Sequence, residues 1–351
     1  MRRLPIYFVI DISESMVGEP IQQVEDGLAT IIQALKTDPY ALETVYVSII
    51  VFAGQAKTLV PLQEIVSFYP PKFPIGSGTS LSKGLEHLMN ELRDNIVKTT
   101  YEVKGDWKPI IFLFTDGVPT DDSRNAISEW KSKWQKTANM IAVSFGNDTD
   151  TNLLGELTDN VLQFKNTNVQ SYKEFFKWVT DSIKTSSVSV ENNATGFELA
   201  SIDENLIEKI DLSKQNKSKQ WVDNNFVVLS AKCQNTERPY LMKYKKDIVP
   251  SALGGMEYGT LSYRLVGAYQ IDNSYFELSE SNAPKQKINT EELRGAPTCP
   301  CCGNQYAFAV CVCGNLHCIG EEEMSTCPWC KTTAKYGFGG EGGFDVNRTQ
   351  G

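Results

Sequence analysis

The sequence predicts an α/β chain: a doubly wound, mostly parallel sheet, then a small β-rich region that closes on a cysteine cluster. Three observations carry this. Continuous apolar runs alternate with amphipathic stretches from residue 5 to 186, the texture turns polar after Ser187, and eight of the nine cysteines fall between Cys299 and Cys330.

The strand-like runs are residues 6–10, 45–52, 109–114 and 140–145, with a shorter one at 161–164. Uninterrupted apolar runs are expected of strands covered on both faces, as parallel strands are. Between them Leu81, Leu85, Leu88, Met89, Leu92 and Ile96 recur at helical spacing, as do Tyr172, Phe175, Phe176, Val179 and Ile183. This alternation defines a doubly wound domain over residues 1–187. Residues 188–220, rich in Asn, Lys and Ser, read as a linker with a short helix near 204–210. Short β-type runs follow at 226–229, 240–244, 261–266 and 274–278, punctuated by Gly254, Gly255 and Gly259. They predict a mostly antiparallel β region over 221–298. The cysteine module spans 299–336, and the Gly-rich residues 337–351 read as a flexible tail.

The net charge of −9 over 351 residues, with both halves mildly acidic, argues against nucleic-acid binding, which needs a basic surface. The first apolar run stops at Asp11, too short for a signal-peptide core. No window approaches the roughly 18 uncharged residues of a membrane helix. The chain therefore reads as cytoplasmic, with no membrane contact. In a reducing compartment, close cysteine pairs hold metal more often than they form disulfides.

Three separated pieces point to a cation site. The first strand ends in Asp11-Ile12-Ser13-Glu14-Ser15, Thr79 sits just before a helix, and the strand at 109–114 runs into Thr115-Asp116-Gly117. In an open α/β sheet the ligand crevice lies at the carboxyl ends of the strands. Carboxylates and hydroxyls without sulfur or imidazole suit a hard cation, Mg²⁺ first, with Mn²⁺ or Ca²⁺ as substitutes. Five side chains, only two of them charged, leave a position for an acidic group of a partner, or for water. Each fragment alone is an ordinary polar turn; all three in order at the required places carry the reading. Glu14, Glu19, Asp121 and Asp122, close by in sequence, read as solvated rim charges.

The arrangement resembles the metal-ion-dependent adhesion site of von Willebrand factor A (vWA) domains, over roughly residues 5–185. That resemblance implies Asp11, Ser13 and Ser15 as strand-end ligands, Thr79 as the middle one and Asp116 as the last, partly through water.

The second site reads Cys299-Pro300-Cys301-Cys302, then Cys311-Val312-Cys313, His317-Cys318 and Cys327-Pro328-Trp329-Cys330. Cys-x-x-Cys knuckles turn the backbone so that both sulfurs face one tetrahedral zinc. Cys299, Cys302, Cys311, Cys313, Cys318, Cys327 and Cys330 supply seven ligands, and His317 or Cys301 an eighth, with His317 preferred because Cys301 lies inside a completed knuckle. Eight ligands hold two zinc ions in a zinc-ribbon-like module; a single zinc between the two knuckles is the alternative. The surplus of thiolates marks the sites as structural rather than catalytic. A segment this short also needs metal to fold. Cys233, alone in sequence, reads as a small buried residue.

The domain order and cysteine pattern resemble the TerY proteins of bacterial tellurite-resistance and stress-response systems, over nearly the whole chain. Cys301 departs from a plain knuckle. The resemblance implies a cytoplasmic scaffold that binds proteins, with a protein kinase and a PP2C-type phosphatase as associates.

Against an enzyme stand only two histidines, His87 and His317, and the lack of a Gly-x-Ser-x-Gly elbow or a phosphate-binding loop. The competing readings are a metal-dependent hydrolase at Asp11 and Asp116, an extracellular adhesin, and a RING-like adaptor.

Overall fold

Apolar strands buried on two faces need a helix layer on each side, and alternate residues of the strands must serve alternate layers. The computed structural model describes residues 2–116, 119–144, 151–164, 169–191, 200, 207–209, 224–253, 256–280, 286–322, 324–337 and 342–349. It divides into two units: Met1–Ile12, Glu19–Phe73 and Thr79–Gln220 form the first, and Ser13–Gly18, Pro74–Gly78 and Trp221–Gly351 the second.

The first unit contains strands β1 (Leu4–Asp11), β2 (Val45–Phe52), β3 (Ala56–Glu64), β4 (Ile110–Thr115), β5 (Asn139–Ser144), β6 (Val161–Phe164) and β7 (Ile207–Lys209). Its helices are α1 (Glu19–Leu35), α2 (Pro39–Thr44), α3 (Leu81–Asn95), α4 (Arg124–Lys133), α5 (Thr151–Leu157) and α6 (Val169–Glu191). Among the described residues the strands lie in the order β3-β2-β1-β4-β5-β6-β7. The five central ones are parallel, and β3 and β7 close the edges antiparallel.

The two faces sort by parity. Tyr7, Val9, Ile111 and Leu113 pack with Leu85, Leu88 and Leu92 of α3 and Trp130 of α4. The intervening Phe8, Phe112 and Phe114 stack on one another, and Phe175 and Phe176 of α6 meet Phe114 edge-on. The start signals are local: the Asp38 carboxylate accepts from Ala41 N at 3.0 Å ahead of α2, and Ser80 caps α3.

Two expectations change here. The polar stretch after Ser187 is not all linker, because α6 runs on to Glu191 and β7 pairs with β6. The helix expected near 204–210 is a strand at 207–209, and its remaining positions lie outside the described residues. A short edge strand needs only one pairing partner, so its sequence can be as polar as a loop.

The second unit contains β8 (Phe226–Lys232), β9 (Pro239–Leu253), β10 (Met256–Gln270), α7 (Ser274–Leu278), β11 (Gln286–Asn289), β12 (Leu293–Arg294), β13 (Tyr306–Val310), β14 (Leu316–Ile319), β15 (Met324–Thr326), β16 (Thr333–Lys335) and β17 (Asp345–Arg348). Its main sheet has the order β12-β10-β9-β8-β14-β13, so cysteine-module strands and the β-rich region share one sheet and one core, with no break at residue 298. Residues 274–278, expected as β, form a helical turn: the Asp272 carboxylate takes the Ser274 N–H at 2.8 Å and the Ser274 hydroxyl, which starts a helix. The glycine-rich end, expected to be a flexible tail, contributes β17 antiparallel to β11, with Val346 buried in the core. Composition registered the glycines; one buried valine and a strand partner outweigh them.

Candidate metal centres

β1 and β4 are parallel neighbours paired up to Ile10 and Phe114, so Asp11 and Thr115 stand side by side at the carboxyl edge of the sheet. The Thr115 hydroxyl donates to the Asp11 carboxylate at 2.7 Å, and Asp11 is fully buried. Asp116 follows directly and is half-buried. The end of β2 ties in two more segments, because Ile12 N donates to Phe52 O at 2.9 Å and Ser80 N to Ala53 O at 2.7 Å. Thr79, beside Ser80, donates its N–H to the Thr120 hydroxyl at 2.9 Å and accepts the Thr120 N–H at 3.0 Å. Asp11, Thr79 and Asp116 thus gather at one edge. Ser13 and Ser15 are buried with hydroxyls 2.9 Å apart. Gly117 lies outside the described residues.

The four acidic neighbours do not all behave as rim charges. Glu19 and Asp122 are exposed. Glu14 is fully buried within the second unit, where Tyr275 donates to its carboxylate and Ser77 donates at 3.2 Å. Burial foremost, then the charge of Glu14, raises the Tyr275 pKa, which keeps the phenol a donor. In the same unit Lys243, itself buried, donates to the carbonyls of Ser15 and Val17. Asp121 is taken up by the start of α3.

The cysteines form two groups of four. Cys233, Cys299, Cys302 and Cys318 make one, and Cys311, Cys313, Cys327 and Cys330 the other; within each, all sulfurs lie within 4.8 Å of one another. None of these cysteines is in a disulfide. This corrects the expected ligand set: His317 stands outside both groups and Cys233 enters the first. Strand parity decides it. Neighbours on a strand point to opposite faces, so Cys318 can face the first group only if His317 turns away. His317 Nδ1 donates to Cys318 O at 3.0 Å, and its Nε2 lies 2.8 Å from the Tyr336 hydroxyl. On β8, Val227, Leu229, Ala231 and the following Cys233 line the core by the same alternation. Because β8 pairs parallel with β14 through Ala231 and Leu316, the register carries Cys233 to Cys318. Cys301, the spare thiol of the first knuckle, is in neither group.

Residues 6–178 match the von Willebrand factor type A domain family, and residues 223–351 match the TerY-C metal binding domain family. The chain has the TerY-type architecture. No curated protein matches the sequence. Solved structures also match this chain, at low identity. One is proximal thread matrix protein 1 from the mussel byssus, with a zinc-occupied MIDAS motif (16% identity, 53% of this chain and 46% of that one, TM-score 0.37). Another is the PilB minor pilin from Streptococcus sanguinis (14%, 53% and 62%, TM-score 0.37). A third is the ArnB paralog VWA2 from Sulfolobus acidocaldarius (12%, 78% and 66%, TM-score 0.37). The chain spans about half the length of the mussel protein.

The cysteine groups of the TerY-C domain fit zinc. Neighbouring sulfurs are 3.7 Å apart for Cys302 and Cys318, 3.5 Å for Cys311 and Cys330, 3.9 Å for Cys313 and Cys327, and 4.0 Å for Cys233 and Cys318. A tetrahedron with Zn–S bonds of about 2.3 Å has edges of about 3.8 Å. Each group also holds a thiol poised to ionise. A hydrogen bond with Cys318 pushes Cys299 down to about 5, and hydrogen bonds with Thr332 push Cys330 down to about 6. The thiolate on Cys299 pushes Cys318 up in turn. Among the described residues nothing points to catalysis, and no helix is long and apolar enough to cross a membrane.

Proposed function

We propose that this chain is a cytoplasmic, cation-dependent protein-interaction scaffold of a TerY-type stress or tellurite-resistance system, and not an enzyme. Asp11, Ser13, Ser15, Thr79 and Asp116 hold Mg²⁺, or Mn²⁺ or Ca²⁺ in its place, in the vWA crevice. The observation that carries this is the Thr115–Asp11 hydrogen bond, which sets one carboxylate beside the residue that precedes the other. Two carboxylates and three hydroxyls make a hard donor set of five, one short of the octahedral six. The cation supplies the positive charge that an incoming Asp or Glu of a protein partner requires. The family resemblance suggests a kinase and a PP2C-type phosphatase as associates, with neither nucleic acid nor membrane as a partner.

The TerY-C domain holds two structural zinc ions, one on Cys233, Cys299, Cys302 and Cys318 and one on Cys311, Cys313, Cys327 and Cys330. All-thiolate sets leave no position open for substrate.

Calorimetric titration with Mg²⁺ or Mn²⁺ tests the crevice. Asp11→Ala and Asp116→Ala should abolish binding in a folded vWA domain, and unchanged affinity in both rejects the assignment. For a purified partner, capture should require Mg²⁺ and weaken strongly in Asp116→Ala. Equal capture in excess chelator would leave the vWA domain as a scaffold only.

A further inference from the structure

We propose that Thr120 and Asp121 form a clamp that positions Thr79 for the cation, an inference that rests on the crevice reading above. The loop after β4 carries both residues, four and five positions beyond Asp116. Thr120 and Thr79 exchange two hydrogen bonds, Thr79 N to the Thr120 hydroxyl at 2.9 Å and Thr120 N to Thr79 O at 3.0 Å. Both residues are buried. Asp121 grips the residues that follow Thr79. One carboxylate oxygen accepts Leu81 N at 3.1 Å; the other accepts the Ser80 hydroxyl at 2.7 Å, Ser82 N at 3.0 Å and the Ser82 hydroxyl.

The first N–H groups of a helix have no partner inside it. Here Asp121 takes those of Leu81 and Ser82, Ser80 takes that of Lys83 at 3.3 Å, and Gly84 N already reaches Ser80 O at 3.2 Å. A negative charge at a helix N-terminus is favourable, and this one accepts from four donors. Its oxygens are committed to α3, which separates Asp121 from a cation ligand and from a solvated charge. The consequence falls on Thr79. Its backbone is bonded to Thr120 on one side and it is followed by a fully capped helix start on the other, so its place relative to the loop bearing Asp116 is set before any cation arrives. A ligand held ready loses less freedom on binding, and outer-shell partners of metal ligands commonly contribute a factor of about 10–100 in affinity.

The test uses the full chain with its thiol sites zinc-loaded, and reads Mn²⁺ binding by the signal of free Mn²⁺, with thermal unfolding followed without added Mn²⁺. Thr120→Val keeps the shape and deletes the acceptor for Thr79 N. It should bind Mn²⁺ on the order of 10-fold more weakly while folded, and Thr120→Ser should restore wild-type affinity. Asp121→Ala should weaken binding likewise. Should Thr120→Val not fold, Asp121→Asn, which keeps one acceptor oxygen for Leu81 N, carries the same expectation. Folded variants that bind Mn²⁺ as tightly as the wild type, with only the melting temperature lowered, overturn the clamp and leave the crevice intact. A wild-type chain that takes up no Mn²⁺ overturns the crevice reading and the clamp together.

Discussion

Cys233, the residue after β8, and Cys318 on β14 bring their sulfurs to 4.0 Å across a parallel strand pair, although 85 positions separate them in the chain. The first thiol group is therefore not confined to the cysteine-rich segment. It ties that segment to the sheet in whose core Cys233, Cys299 and Cys318 are buried.

From this pairing, Cys233→Ala should cost the TerY-C domain one of two zinc ions, while His317→Ala should keep both. Metal analysis of each variant purified without chelator decides it. Loss of zinc in His317→Ala, with none lost in Cys233→Ala, would restore the histidine as a ligand.

Acid should release zinc in a particular order. Cys330 and Cys299 are held below the usual thiol range, at about 6 and about 5. A depressed pKa stabilises the fold above the ordinary thiol value, and that contribution is lost as pH falls through the folded value. Below about 6 the group with Cys330, and below about 5 the group with Cys299, must displace one more proton per ion. Zinc affinity measured against a competing chelator should steepen in its pH dependence first for the Cys330 group.

Gly27 of α1 faces Phe176 of α6 so closely that a Cβ there would lie 2.0 Å from the ring. Gly27→Ala improves helix propensity, but overpacking a full core costs about 1–3 kcal/mol and should win. Denaturant unfolding of the vWA domain should show a net loss of stability. A gain would mean that α1 and α6 separate freely.

Removing residues 344–351 should destabilise the TerY-C domain, because it deletes β17 and with it the buried Val346 side chain. Burying one such side chain is worth about 1.5–3 kcal/mol before the lost strand pairing is counted. An unchanged melting temperature would return the segment to a dispensable tail.

Much of this was legible in the sequence because it depends on neighbours along the chain. The parallel strands declare themselves as apolar runs, α3 by its leucine spacing, and Asp11 and Asp116 by their places at strand ends. β3 and β7 do not show in the sequence, since these edge strands are polar and lack an apolar run of their own. Residues 274–278 read as β in the sequence because five mixed residues hold too little periodicity to separate helix from strand; the Asp272 carboxylate decides.

What the sequence determined by itself was therefore local: the doubly wound vWA domain, the hydroxyls and carboxylates at its strand ends, and the two Cys-x-x-Cys knuckles. What only the tertiary structure decided was which distant groups meet. Cys233 displaces His317 because strand alternation turns adjacent side chains to opposite faces and the β8–β14 register sets the partner. Asp121 belongs to α3 because the loop after β4 carries its carboxylate onto unpaired helix amides. Spacing along a chain reports which residues share a face; only folding reports which faces share a place.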